Sequence, residues 1–178
     1  MFDFLFNPQG RISRKGFWLG FLLPYLAITV GLSVIGGLVP VLAILSTLAG
    51  LFYFWPSAVA VPVKRFHDLG MTGFWQLGFV LAEIVLIVVF FAGIGIYAVE
   101  AGMESELEAM ATMSEAEQMA VLGGMIGEAL GSPLVLGGLG LLILLNLVWL
   151  YFMGIRRGQA GPNQHGEDPH ASGRGFAD

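Results

Sequence analysis

Four polar side chains fall where hydrocarbon would be expected. Glu83 interrupts the run Phe79-Val80-Leu81-Ala82-Glu83-Ile84-Val85-Leu86, and Asn146 interrupts Leu142-Ile143-Leu144-Leu145-Asn146-Leu147-Val148. An ionisable group inside a membrane span costs on the order of 2.5 kcal/mol or more, and is a functional candidate by default. At 1.5 Å per residue, Glu83 lies roughly 13 Å along a helix begun at Phe74, and Asn146 about 12 Å from Gly154. Tyr25 and Tyr53 fall at comparable depths in the two preceding apolar runs. Such a layer could relay protons or cations. It could equally be a hydrogen-bonded plug that fixes helix register, which is the structural reading.

A second set of candidates is more polar. The stretch Lys64-Arg65-Phe66-His67-Asp68-Leu69-Gly70-Met71-Thr72-Gly73-Phe74-Trp75 carries the only charges other than Glu83 between Gly16 and the acidic segment that begins at Glu100. Arg65, His67 and Asp68 here, Arg11 and Arg14 near the start, and Asn163 and Asp168 near the end make up the candidate motif cluster. His67 and Asp68 with His165, Glu167, Asp168 and His170 are the one combination that could ligate a metal, but their spacing matches no standard ligand pattern. No Ser-His-Asp set, phosphate-cradling glycine loop or dinucleotide fingerprint occurs. We therefore assign no catalytic, cofactor or metal residue and expect a protein that is not an enzyme and needs no cofactor.

The elements that must position these residues follow from composition. Of 178 residues 56% are hydrophobic and 12% charged, and the net charge is -5. A soluble domain carries about 25% charged residues, so lipid must replace water over much of this surface. There is no cysteine, which removes disulfides and thiolate chemistry together. Four runs reach the roughly 20 apolar residues that a span requires: about 17–39, 41–63, 74–99 and 133–154. The first of them begins only after Arg11, Arg14 and Lys15 and reads as a retained span, not a cleaved leader. The fold class predicted is all-α: a polytopic membrane protein of four transmembrane helices with an amphipathic helical outer segment over 100–132. An N-terminal segment, 1–16, precedes the membrane domain of 17–157, and a tail, 158–178, follows it. The first two spans meet at Gly36-Gly37-Leu38-Val39-Pro40, a turn signal. Pro56 and Pro62 should kink the second, and Thr72 can cap the third. Gly93 and Gly95, with Gly137 and Gly140, should bring the third and fourth spans together, since small residues let backbones meet.

Orientation follows from Lys and Arg. With the N-terminus inside, residues 1–16, the hinge at 64–73 and the tail hold all eight basic residues, Arg174 included, and the outer segment holds none. The expected location is therefore a plasma membrane with both termini cytoplasmic. The basic ring Arg11, Arg14, Lys15, Lys64, Arg65, Arg156 and Arg157 suits anionic lipid headgroups; nucleic acid is not expected as a partner. In the outer segment, Ser114-Glu115-Ala116-Glu117 has a capping-box pattern, and five of the eight methionines lie there. A metal-capturing methionine patch is one reading. An amphipathic hairpin with methionine as adaptable filler is preferred, because no histidine or cysteine accompanies the methionines. The tail should be largely flexible, except that Gly161–Pro169 is dense in turn formers. That turn is expected to fold back on the hinge, Asp168 pairing with Arg65 or Arg11 and Asn163 capping backbone groups.

Three stretches resemble a bacterial membrane family known as domain of unknown function 805. They are Gly10-Arg11-Ile12-Ser13-Arg14-Lys15-Gly16-Phe17-Trp18, the hinge Lys64–Trp75, and Gly161-Pro162-Asn163 through Gly166-Glu167-Asp168-Pro169. Lys64, Phe66, Thr72, Phe74 and His165 depart mildly from its usual pattern. The resemblance implies a small multi-span protein of the bacterial inner membrane and brings no activity with it. Function is expected to be non-enzymatic: a component that binds or modulates other membrane proteins or itself, with the cytoplasmic motifs as the working face. The alternative is a small oligomeric transporter or channel using the polar layer around Glu83.

Overall fold

A computed structural model describes residues 2–39 and 43–169; Pro40, His170 and Arg174 lie outside the described residues. Seven helices account for most of them: α1 Phe2–Phe6, α2 Gly16–Leu38, α3 Ile44–Asp68, α4 Phe74–Glu100, α5 Glu104–Met110, α6 Glu115–Ala129 and α7 Pro133–Ile155. No strand occurs among the described residues. Helices α2, α3, α4 and α7 are each long and apolar enough to cross a membrane. Only 6% of the most apolar window of α4 is buried by the protein itself. A face that apolar and that bare requires lipid, and the chain is an all-α, multi-pass membrane protein.

Two compact units make up the chain, Met1–Val80 with Val148–Asp178, and Leu81–Leu147. The first has a core of Leu5, Ile12, Phe17, Phe21, Tyr53, Val61, Phe66 and Met153. Helices α2 and α3 pack closely within it, in part through Tyr25 and Tyr53, whose ring centroids are 5.3 Å apart. The prolines of α3 do more than bend it. Residues Pro56–Ala60 form a π turn, in which Val61 N–H reaches back five residues to the Pro56 carbonyl. Pro62 has no N–H for the Ala58 carbonyl four residues earlier. Gln76, from the first turns of α4, takes that carbonyl: its Nε2 donates to Ala58 O at 2.8 Å, and its Oε1 accepts from Trp149 Nε1 at 2.9 Å. A second π turn, Gly16–Leu22, stands just before Pro24, with Leu23 N–H bonded to Trp18 O.

The second span is longer at its C-terminal end than the apolar run indicates. Lys64–Asp68 are the last turns of α3, and only 69–73 form the link to α4. The stop is a Schellman motif: Gly70 N–H donates to His67 O at 3.0 Å and Met71 N–H to Phe66 O at 2.9 Å. Gly70 takes φ 73°, a left-handed conformation that glycine adopts without a Cβ penalty. At the start of α4 the contribution of Thr72 is its carbonyl, which accepts Trp75 N–H at 3.3 Å.

In the second unit, α5 and α6 form the expected helical hairpin over the outer segment. Ser114 and Glu117 make a reciprocal capping box: Ser114 Oγ accepts Glu117 N–H, and the Glu117 carboxylate accepts Ser114 N–H at 2.9 Å. Helices α4 and α7 meet at one of the four glycines expected, Gly93, and at Gly138. Gly93 lies against Val135 and Leu134, and Gly138 against Phe90, whereas Gly95, Gly137 and Gly140 face open space. The 3.6-residue period puts Gly138, not Gly137, on the contact face.

Two outcomes follow. Gly93→Leu combined with Gly138→Leu should lower the melting temperature of the solubilised protein, by an overpacking cost of about 1–3 kcal/mol per site, while Gly137→Leu should melt as the parent does. Separately, the Ser114 hydroxyl and backbone N–H hold the Glu117 carboxyl below its usual range. That contribution to α6 is present above the ordinary glutamate pKa and lost as pH falls through the lower folded value. Amide protection factors at residues 115–118 should therefore fall on acidification, and Ser114→Ala, which keeps the backbone N–H, should reduce that pH dependence.

Candidate functional site

The three motif stretches come together in the first unit, around the ends of α3 and α7. A helix leaves its last four carbonyls without intrahelical partners, and at the end of α7 side chains take them. Arg65 Nε donates to Met153 O at 2.8 Å and its Nη2 to Arg156 O. Trp18 Nε1 donates to Gly154 O at 3.1 Å, and Arg14 Nη1 to Ile155 O at 3.0 Å. Cations at this end also suit the helix dipole, which is negative there. Gly154 leaves room for the indole: a Cβ there would stand 2.8 Å from the Trp18 ring.

Asp68 joins this cap to the N-terminal stretch. Its Oδ2 accepts from Arg65 Nη1, and its Oδ1 from Arg11 Nη2 at 3.0 Å and Nε at 3.2 Å. All three side chains are at most 1% exposed. Two arginines on one carboxylate leave a positive charge, which carbonyl oxygens offset. Arg11 spends its remaining donors on the tail: Gln159 O at 2.5 Å, Gly161 O at 2.7 Å and Gly166 O at 3.4 Å. Gln159 N–H returns to the Asp68 carbonyl at 2.7 Å. Gly158 stands so close to the carboxylate that a Cβ would overlap it.

The tail therefore docks on the end of α3, as its turn content predicts. Asn163 and Gly166 exchange backbone hydrogen bonds at 3.0 and 3.1 Å, closing a tight turn over Gln164 and His165. Asn163 Nδ2 donates to His67 O at 2.9 Å, the backbone cap expected of it. His165 stacks on His67, centroids 3.8 Å apart and planes 4° from parallel, and His67 Nδ1 meets Gly10 O at 3.1 Å. The carboxylate that Arg11 and Arg65 share is Asp68. Asp168 has another task, accepting Gly161 N–H at 2.8 Å and so closing the loop on itself. The flexibility expected of the tail outside Gly161–Pro169 fails at 158–160, where Arg11 and Asp68 hold the Gln159 backbone.

Three of the ring's cations turn inward. Lys64 is 1% exposed and donates to Asp3 O at 2.6 Å and Phe4 O at 3.1 Å, capping α1, where Trp55 Nε1 also holds Phe6 O. Arg11 and Arg65 are buried as described. Lys15, Arg156 and Arg157 remain exposed. Ser13, within the first stretch, caps α2: its Oγ accepts Gly16 N–H at 3.0 Å. Gln159 and Gln76 went unnoticed in the sequence. The Gln76 signal was legible, since Pro62 leaves one carbonyl of α3 in need of a donor.

The four-residue polar layer resolves into two pairs. Tyr25 and Tyr53 are in ring contact in the first unit. In the second, Asn146 Nδ2 approaches Glu83 Oε1 at 3.5 Å while also donating to Leu142 O at 3.0 Å. Glu83 is half-buried and Asn146 exposed. No group of three His, Cys, Asp or Glu side chains converges as a metal site among the described residues.

Four spans and a buried Arg-Asp-Arg clamp that fastens the ends of two of them define a class of small helical membrane protein. The chain belongs to the family described as protein of unknown function DUF805, matched over residues 5–167. Uncharacterized protein YiiR of Escherichia coli strain K12 and that of strain O157:H7 are each 36% identical to it over 85 residues. The match covers 47% of this chain and 56% of the relative, so the chain spans about half the length of the curated relatives it matches. No solved structure matches it.

Removing the shared carboxylate tests the clamp. Breaking a buried ion pair from one side costs about 3–5 kcal/mol, and Asp68→Asn should lower stability on that scale while speeding amide exchange across 158–168. Gly158→Ala should do the same through overlap with the carboxylate. Parental melting and protection in both would show that the tail docks without Asp68.

Proposed function

We propose that this is a multi-pass protein of the bacterial plasma membrane, both termini cytoplasmic, that binds or modulates other membrane components and does not catalyse a reaction. The observation that carries the reading is how the motif side chains are used. Arg11, Lys64, Arg65 and Asp68 are buried, and their polar atoms go to backbone carbonyls and to one another. A general acid, base or nucleophile needs a proton or lone pair to offer a substrate; here those groups build a rigid plate. Beside it stand Lys15, Arg156 and Arg157, exposed at the ends of α2 and α7, suited to anionic headgroups or to acidic faces of neighbouring proteins.

Orientation rests on the placement of basic residues. Seven of the eight precede α2, end α3 or follow α7, Arg174 lies farther along the tail, and the α5–α6 hairpin has seven glutamates in its segment and no cation. A second reading, a small transporter or channel, is favoured by the contact between Glu83 and Asn146.

Reporters fused after Arg157 should read cytoplasmic and one inserted near Met110 should read external; a cytoplasmic signal at Met110 would overturn the topology. For function, a photo-crosslinker at Arg157 should give discrete protein adducts in membranes. Lipid adducts alone there, together with ion flux in reconstituted vesicles that Glu83→Gln abolishes, would favour transport instead.

A further inference from the structure

The second unit contains a cleft of about 600 Å³ lined by the turn after α4, the α5–α6 turn and α6. Met103, Met113 and Met125 line it, with Val121, Gly124 and Glu128. The three methionines come from separate places in the chain, and hydrogen bonds fix the backbone of two of them. Met103 closes the turn after α4, its N–H donating to Ala98 O at 2.9 Å. Met113 lies in the turn between α5 and α6, where Gln118 Nε2 clamps Met110 O at 3.0 Å and Met113 O at 3.2 Å. Met125 sits on α6 and is 4% exposed.

Filler methionines would be expected to close a gap in the core. Met103 and Met113, both half-buried, border an open space instead, with the buried Met125 at its wall. Thioethers are soft, polarisable donors that select soft cations such as cuprous ion, and they do not ionise or ligate hard cations well. Glu128 supplies a carboxylate on the same wall, able to offset one positive charge. Met119, 69% exposed on α6, is not part of the lining, so the set is defined by position and not by methionine content alone.

We propose that this cleft binds one soft monovalent cation, cuprous or silver ion, through the thioethers of Met103, Met113 and Met125, with Glu128 balancing its charge. The site does not depend on the reading of the motif plate given above.

The full chain in detergent, titrated calorimetrically with silver nitrate in chloride-free buffer, should bind one silver ion, and silver-edge X-ray absorption should report sulfur neighbours. Met103→Leu, Met113→Leu and Met125→Leu nearly conserve volume. Each should weaken binding by roughly tenfold or more, a loss already typical when partners one shell beyond a metal are removed. Met119→Leu should bind as the parent does. Absence of binding by the parent would overturn the proposal, as would a triple variant that still binds with parental affinity. Equal weakening by Met119→Leu would likewise count against it, by showing that surface thioethers suffice. Circular dichroism of each variant separates lost binding from lost fold.

Discussion

The carboxylate of Asp68 lies between two guanidinium groups, and the end of the first unit at which α3 and α7 stop depends on that arrangement. Arg65 reaches from Asp68 to the last carbonyls of α7, and Arg11 reaches from it to the carbonyls of the tail. A lysine in either place could not do this, because the planar fork that spans carboxylate and carbonyl at once belongs to arginine. Net stability is not the reason for such a design: a buried ion pair about breaks even against apolar residues of similar volume, while losing one partner costs several kcal/mol. What the clamp supplies is position. One carboxylate fixes two arginines, and they fix the ends of α3 and α7, the opening stretch and the tail.

Helix ends and prolines explain why so many donors are needed in one place. Backbone carbonyls at a span's end cannot stay unpaired where water is scarce. Helix α7 ends among Arg14, Trp18 and Arg65, α1 against Lys64 and Trp55, and the carbonyl freed by Pro62 against Gln76. Family-like residues that resemble a reactive cluster in sequence are thus cap residues. The apolar core beneath them, Phe17, Phe21, Phe66 and Met153, holds the donors at a fixed distance from the carbonyls they serve.

Much of the fold was legible because lipid imposes strong rules on sequence. Runs of about 20 apolar residues can only be spans, and Ser114 with Glu117 can hardly be other than a capping box. The errors lie where pairing, not period, decides. Apolar periodicity ends at Val63, yet α3 continues to Asp68, because buried partners make Lys64 and Arg65 tolerable in its last turns; the Gly70 stop was the signal to read. Arg11 or Arg65 is expected to meet the carboxylate of Asp168 in the folded-back tail, but the one they share is Asp68. Asp68 is three residues from Arg65 on the same helix, a spacing at which side chains meet, and that local rule decides in its favour. Gly138 in place of Gly137 is a one-residue error of helical phase, about 100° around the axis.

The two units use their polar groups differently, and this bears on where activity resides. In the first, charge is consumed: buried arginines, lysine and aspartate meet carbonyls and one another, with no buried side-chain donor or acceptor left unpaired among the described residues. Groups so engaged hold shape. In the second, Glu83 is half-buried with one long contact to Asn146, and three methionines with Glu128 border open space. Those groups retain lone pairs that a small cation could use. A fixed plate beside exposed cations suits attachment to a charged partner or headgroup, whereas uncommitted thioethers and carboxylates suit capture of an ion. The three motif stretches supply the first set, and the acidic segment supplies the methionines and Glu128 of the second.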